Sequence, residues 1–124
     1  MPAVSHTDYA WAAGLFEGEG SFSLINYPGI SRGIKASMCS TDEDVLHRFC
    51  RIVNVGRVGG PYKNSTHKPY WRWQIGSFEG TQAVIAYFWN WFGLRRRARA
   101  TDVLTWGVTH VGTTRRLYGK THAR

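Results

Sequence analysis

Trp11-Ala12-Ala13-Gly14-Leu15-Phe16-Glu17-Gly18-Glu19-Gly20-Ser21-Phe22 is the stretch on which the reading of this chain turns. Just before and within it, Ala10, Gly14 and Gly18 fall at i, i+4 and i+8. That spacing puts them on one face of a helix, and a face with almost no side chain lets another helix backbone approach closely. The same spacing pairs helices inside membranes, but this helix is too short and the chain too polar for that. Glu17 and Glu19 stand at the helix end, at the edge of the small-residue face. Two copies packed through that face would bring acids together, which is costly unless they are protonated or bound to a cation. Magnesium takes oxygen ligands of this kind, and beside a basic surface such a cluster suits metal-assisted phosphodiester hydrolysis. On the residues alone a plainer reading stays open and is favoured: a small-residue helix buried in its own core, with exposed acids at its end.

Working outward, residues 8–18 read as a helix with Ser5 or Thr7 as N-cap. Residues 20–27 read as a strand, Pro28-Gly29 as a turn and 32–39 as a second strand, with Ile34, Ala36 and Met38 on one face and Lys35, Ser37 and Cys39 on the other. Thr41 is expected to cap the next helix, exchanging hydrogen bonds with Asp44, while Asp42, Glu43 and Asp44 complement the helix dipole. Val45, Leu46, Phe49, Ile52 and Val53 then form one apolar stripe. The acids are thus explained by helix stability rather than by a metal. Residues 56–63 and 68–77 read as two more strands. The last alternates plainly, Trp71, Trp73 and Ile75 against Tyr70, Arg72 and Gln74. A helix over 79–92, closed by Gly93, and another over 97–110, using Val103, Leu104, Val108 and Val111, complete the order α-β-β-α-β-β-α-α. This is an α+β domain with helices on one face of a four-stranded antiparallel sheet.

The 124 residues fit one domain over 1–124, with a basic, mobile tail from about Gly112. With 43% hydrophobic and 15% aromatic residues, a disordered chain is excluded. The net charge of +8 favours a polyanionic partner, nucleic acid before membrane. From Arg95 onward there are eight Lys or Arg and one acid, Asp102, and the densest run is Arg95, Arg96, Arg97 and Arg99. Cys39 and Cys50 lack metal-ligand spacing and make no disulfide framework, so a reducing setting is expected. Met1 to His6 is no signal peptide, and no apolar run reaches the roughly 20 residues that span a bilayer. The six tryptophans read as core residues rather than base-stacking platforms. The scattered histidines have no partners at catalytic spacing.

Residues 12–20 resemble the nine-residue LAGLIDADG motif of the homing endonucleases, with Ala for the first Leu and Glu for both Asp. The order of elements over about 8–111 resembles that family too. The resemblance implies an intron-encoded, mobile-element type of double-stranded DNA endonuclease with Mg2+ as cofactor. A single motif implies a homodimer through Ala10, Ala13, Gly14, Glu17 and Gly18. It makes Glu19 the metal ligand, with the Gly18 carbonyl beside it, and leaves Glu17 to tune the helix end. Arg96 and Arg99 become the catalytic cations, although arginine cannot serve as a base, and Ser40 a candidate for positioning water. The sheet is expected to lie as a saddle in the major groove, presenting Ser23, Ile25 and Tyr27, then Lys35 and Ser37, then Arg57 and Lys63, then Tyr70, Arg72 and Gln74, with Arg95 and Arg97 adding to DNA contact. Arginine suits guanine and glutamine adenine. Two-fold symmetry implies a pseudo-palindromic site of roughly 20 base pairs. The setting implied is intracellular, cytoplasmic (nucleoid) or organellar, and not secreted. The alternatives are a maturase acting on intron RNA and a catalytically silent DNA-binding protein of the same fold.

Overall fold

Ser5 and Asp8 start the first helix by a reciprocal exchange. The Ser5 Oγ accepts from Asp8 N at 3.0 Å, and Asp8 Oδ2 accepts from Ser5 N at 3.1 Å. The Ser5 backbone N–H holds the Asp8 carboxyl below the usual carboxylate range. From there α1 runs over His6–Glu19. It ends at Gly20, where the ring of Phe16 lies so close that no side chain fits, and the chain passes directly into β1, Gly20–Asn26. The computed structural model describes residues 3–26, 32–63, 65 and 68–122, giving only the backbone for 25, 26, 32 and 110–122.

After β1 come β2 (Arg32–Ser40), α2 (Glu43–Val53), β3 (Arg57–Tyr62), β4 (Tyr70–Ile75), α3 (Phe78–Phe88), a 3-10 turn over Trp89–Trp91 and α4 (Leu94–His122). The strands form one antiparallel sheet in the order β1-β2-β4-β3. Gly20, Phe22 and Leu24 face Met38, Ala36 and Ile34 across β1–β2, and Met38 in turn faces Trp73 on β4. These pairs form the core side. Phe16, fully buried, sits between the rings of Phe22, Phe49, Phe88 and Phe92. Ala12 and Ala13 of α1, Leu46, Phe49, Ile52 and Val53 of α2, Val84 and Ile85 of α3 and Val103 of α4 close over it. The indole N–H of buried Trp73 donates to Val55 O at 2.9 Å, so its one polar atom is satisfied.

The element order agrees with the α+β expectation, with four local differences. Helix α2 starts at Glu43, not Thr41: Ser40 Oγ accepts the Asp42 N–H at 3.0 Å, and Asp42 becomes an N-cap without a side-chain bond. Helix α3 stops at Phe88, and the 3-10 turn carries the chain to buried Phe92 while leaving Trp91 exposed against His6. Helix α4 begins at Leu94, three residues early, and its backbone continues through the residues read as a tail. Val108 is 75% exposed and so lies off the core stripe assigned to it, while the Val111 side chain is outside the described residues. Trp11, Trp71, Trp89 and Trp106 pack against the core as expected.

Candidate nucleic-acid interface and active site

The strand pairing assigns the open side of the sheet residue by residue. Ser21 faces Ser37 and Ser23 faces Lys35, Ser37 and Cys39 face Gln74 and Arg72, and Arg57 and Gly59 face the same two β4 residues from the other side. Directly opposed residues share a face, and this face alternates with the buried one. It is polar, cationic, and exposed or half-buried throughout. Ser23, Lys35, Ser37, Arg57, Tyr70, Arg72 and Gln74 therefore stand together as the sequence predicted. Cys39 stands with them on the face the alternation gave it, and Ser21 joins them, as the same alternation would have shown. The Ser21 and Ser37 hydroxyls lie 3.3 Å apart.

Two expectations change at the end of β3. The register slips between Gly59 and Tyr62: Gly59 pairs with Arg72, yet Tyr62, three residues on, pairs with Tyr70. One extra residue in β3 reverses the parity. Tyr62 thereby comes onto the open face, while Lys63 lies beyond the strand end. Tyr27 lies outside the described residues, and of Ile25 only the backbone is described, in β1 opposite Gly33.

Two clefts flank the end of α1. One, of about 520 Å³, is lined by Glu17, Gly18, Ser21, Phe22, Arg95, Arg96 and Arg99. The other, of about 530 Å³, is lined by Glu19 with Cys39, Ser40, Thr41, Asp42 and Tyr70 among others. The two glutamates thus serve different clefts. Glu17 anchors the start of α4: its Oε1 accepts from Gly93 N at 3.3 Å, its carbonyl accepts from Arg96 Nη2 at 3.0 Å, and its Oε2 lies 3.8 Å from Arg96 Nε. With Glu17 37% exposed, that ion pair contributes less than about 1 kcal/mol. Arg96 also lies over the Phe16 ring. Arg99 Nε donates to the Phe22 carbonyl at 3.1 Å. Arg97 turns the other way, its Nε donating to Trp89 O at 3.0 Å while its guanidinium covers the Trp89 ring. Arg97 is therefore absent from this cleft lining, apart from Arg95, Arg96 and Arg99. Arg95 lines the cleft, is exposed, and makes no bond among the described residues.

Glu19 is exposed and likewise has no hydrogen bond or ion pair among the described residues. Ser40 shares its cleft, with the serine hydroxyl already engaged by Asp42 N–H. No group of three His, Cys, Asp or Glu is poised around a metal among the described residues. Asp42, whose carboxylate makes no cap bond, lines the same cleft as Glu19. On α1, a Cβ built at Gly14 or Gly18 would meet nothing within 4 Å. That face is open. Ala13 differs: it is fully buried in its own core and offers no surface to a second chain. No described helix is long and apolar enough to cross a membrane.

No protein-family model matches the sequence, and no curated protein matches it. Solved structures do. The homing endonuclease I-CvuI, in complex with DNA, superposes with a TM-score of 0.65 at 17% identity, over 82% of this chain and 68% of that one. The group I intron-encoded homing endonuclease I-CeuI, complexed with DNA, gives 0.69 at 14%, over 91% and 61%. The LAGLIDADG meganuclease I-AabMI, bound to uncleaved DNA, gives 0.67 at 13%, over 89% of this chain and 38% of that one. This chain has the fold of the LAGLIDADG homing endonucleases.

Proposed function

We propose that the chain is a site-specific double-stranded DNA endonuclease that works as a homodimer and cuts a long pseudo-palindromic site by Mg2+-dependent phosphodiester hydrolysis. The observation that carries this reading is Glu19: an exposed carboxylate with no partner among the described residues, at the end of a helix whose Gly14–Gly18 face no described residue occupies. Two copies joined through that face would set two Glu19 carboxylates and two Gly18 carbonyls about one axis, an all-oxygen donor set that fits Mg2+. The bound ion would supply charge neutralisation and a more acidic water. Arg95 would hold the phosphate, with Arg96 and Arg99 adding positive charge from fixed positions and Ser21 beside them. Arginine stays protonated, so the proton of the attacking water must leave through solvent. The cationic open face of the sheet supports binding in the major groove, and the DNA-bound proteins of this fold support the same partner.

The test is cleavage of a randomised duplex library in Mg2+, with Ca2+ as a binding-only control, followed by sequencing of the cut ends. Recurrent breaks centred on a pseudo-palindrome, absent for Glu19→Gln while binding survives, are the expected result. Enrichment of a pseudo-palindrome without breaks in either metal would replace the endonuclease by a silent DNA-binding protein. Absence of any enriched duplex would remove DNA recognition and leave intron RNA as the partner to assay.

A further inference from the structure

Arg72 is held from two sides on the open face of the sheet. Cys39, directly opposite on β2, accepts the Arg72 Nε–H with its Sγ at 3.5 Å. On the other side the guanidinium lies over the ring of Tyr62, 5.3 Å from its centroid. That hydrogen bond also pushes Arg72 further up from an already high pKa, so its charge is permanent. Tyr62 is braced in turn by Tyr70, their ring centroids 5.6 Å apart. The residue facing Arg72 on β3 is Gly59, and a Cβ there would sit 2.8 Å from Tyr62 Oη. The tyrosine therefore reaches across a strand position that has no side chain, and it does so because the one-residue slip in β3 has turned it onto this face.

We propose that Cys39 and Tyr62 are positioning residues that aim Arg72 at one guanine in each half-site and so determine specificity there. The inference rests on the assignment of this face to DNA. A free arginine has several rotors and loses them on binding. Here one contact engages Nε and the other rests the guanidinium over an aromatic ring. The two terminal nitrogens donate to nothing among the described residues. They form a ready fork for guanine O6 and N7, the bidentate pairing that separates guanine from the other bases in the major groove. With Nε engaged by Cys39, Arg72 reads the base end-on, through both terminal groups.

Competition binding in Ca2+ against duplexes varied one base pair at a time tests this with the full chain. The wild type should show one position per half-site where guanine is preferred by roughly 5- to 150-fold, and Arg72→Lys should erase it. Tyr62→Leu should reduce that preference about 2- to 5-fold, and Cys39→Ala should reduce it further in the double variant. Tyr62→Phe and Cys39→Ser keep the ring and the acceptor and should restore it. Preferences at other positions, and affinity for mixed-sequence DNA, should stay within about two-fold, because those depend on other contacts and on phosphates. A guanine preference that Arg72→Lys removes but the Tyr62/Cys39 double variant leaves intact would overturn the positioning role, as would a uniform loss at all positions. A wild type without any base preference would overturn the DNA-reading assignment itself. Hydrogen exchange in the free protein separates the two failures: the Arg72 Nε–H should exchange more slowly in wild type than in Cys39→Ala. Equal rates would refute the positioning whatever DNA does.

Discussion

Gly14→Leu separates the two jobs a glycine can do in α1. A helix-interior glycine costs roughly 0.8 kcal/mol relative to leucine in helix propensity. In the isolated chain little opposes that gain, because Gly14 is exposed and a Cβ there meets nothing within 4 Å. The folded monomer should therefore be stabilised by about 0.5–1 kcal/mol. In a dimer joined through the same face, the added side chain would be trapped between two backbones. Overpacking costs roughly 1–3 kcal/mol per site, and two-fold symmetry doubles it. The dissociation constant should rise about thirty-fold or more. Gly107 in α4 is the control, since its Cβ would run into the Phe78 ring. Gly107→Ala makes the same kind of propensity gain and should lose roughly 1–3 kcal/mol. The assay is sedimentation equilibrium together with urea unfolding at protein concentrations too low for association, since a dimer raises apparent stability by mass action. A Gly14→Leu protein that stays dimeric and cuts DNA would refute the interface. One that unfolds more easily as a monomer would refute the claim that this face is open.

The arginines of α4 should divide by stability. Arg95→Ala should leave the urea midpoint unchanged within about 0.5 kcal/mol while weakening DNA binding. Arg96→Ala strips the Glu17 carbonyl of its donor and the carboxylate of its ion pair and should cost roughly 1–3 kcal/mol; the reverse order would refute the assignment. The Asp8 carboxyl, held down by the Ser5 backbone N–H and hydroxyl, contributes stability above its unfolded pKa that is lost as pH falls through the lower folded value. Carboxyl NMR titration should show Ser5→Ala, which keeps the backbone N–H, moving Asp8 only part of the way back toward the ordinary carboxylate range, and an unmoved titration would remove the hydroxyl's share. Burial pushes the Cys50 thiol up, whereas Cys39 is exposed. A thiol reagent near neutral pH should therefore label Cys39 first, and equal rates would contradict that packing.

Elements whose residues carry their own periodicity were legible in the sequence. Strand β4 alternates without interruption, so its core and open faces could be assigned from Tyr70 to Ile75. The apolar stripe of α2 likewise names Leu46, Phe49, Ile52 and Val53, all buried. Legibility fails where one residue changes the count. The slip between Gly59 and Tyr62 reverses every later face on β3. Alternation counted from Arg57 therefore selected Lys63 and passed over Tyr62, although Gly59-Gly60-Pro61 is the kind of stretch where a bulge is expected. The start of α2 failed for another reason: Ser40 and Thr41 offer similar hydroxyls, and only the fold decides which one meets an N–H.

At the site itself, helix geometry alone separates the acids. Residues two apart on a helix point about 200° away from each other, so Glu17 and Glu19 had to face different flanks of α1 unless the helix broke between them. It does not break, and they line separate clefts. The same angle explains the arginine run. Arg95 and Arg99 stand four apart and Arg96 lies beside them, while Arg97 is turned toward Trp89. A run of four arginines is thus three lining residues and one structural one, and the division follows from helix geometry before any coordinate is known. Geometry alone could not say which of the three is free. That depends on Glu17, seventy-nine residues from Arg96 along the chain, engaging one guanidinium, and on the Phe22 carbonyl engaging another. Arg95 is left without a partner among the described residues because its neighbours are held by the fold.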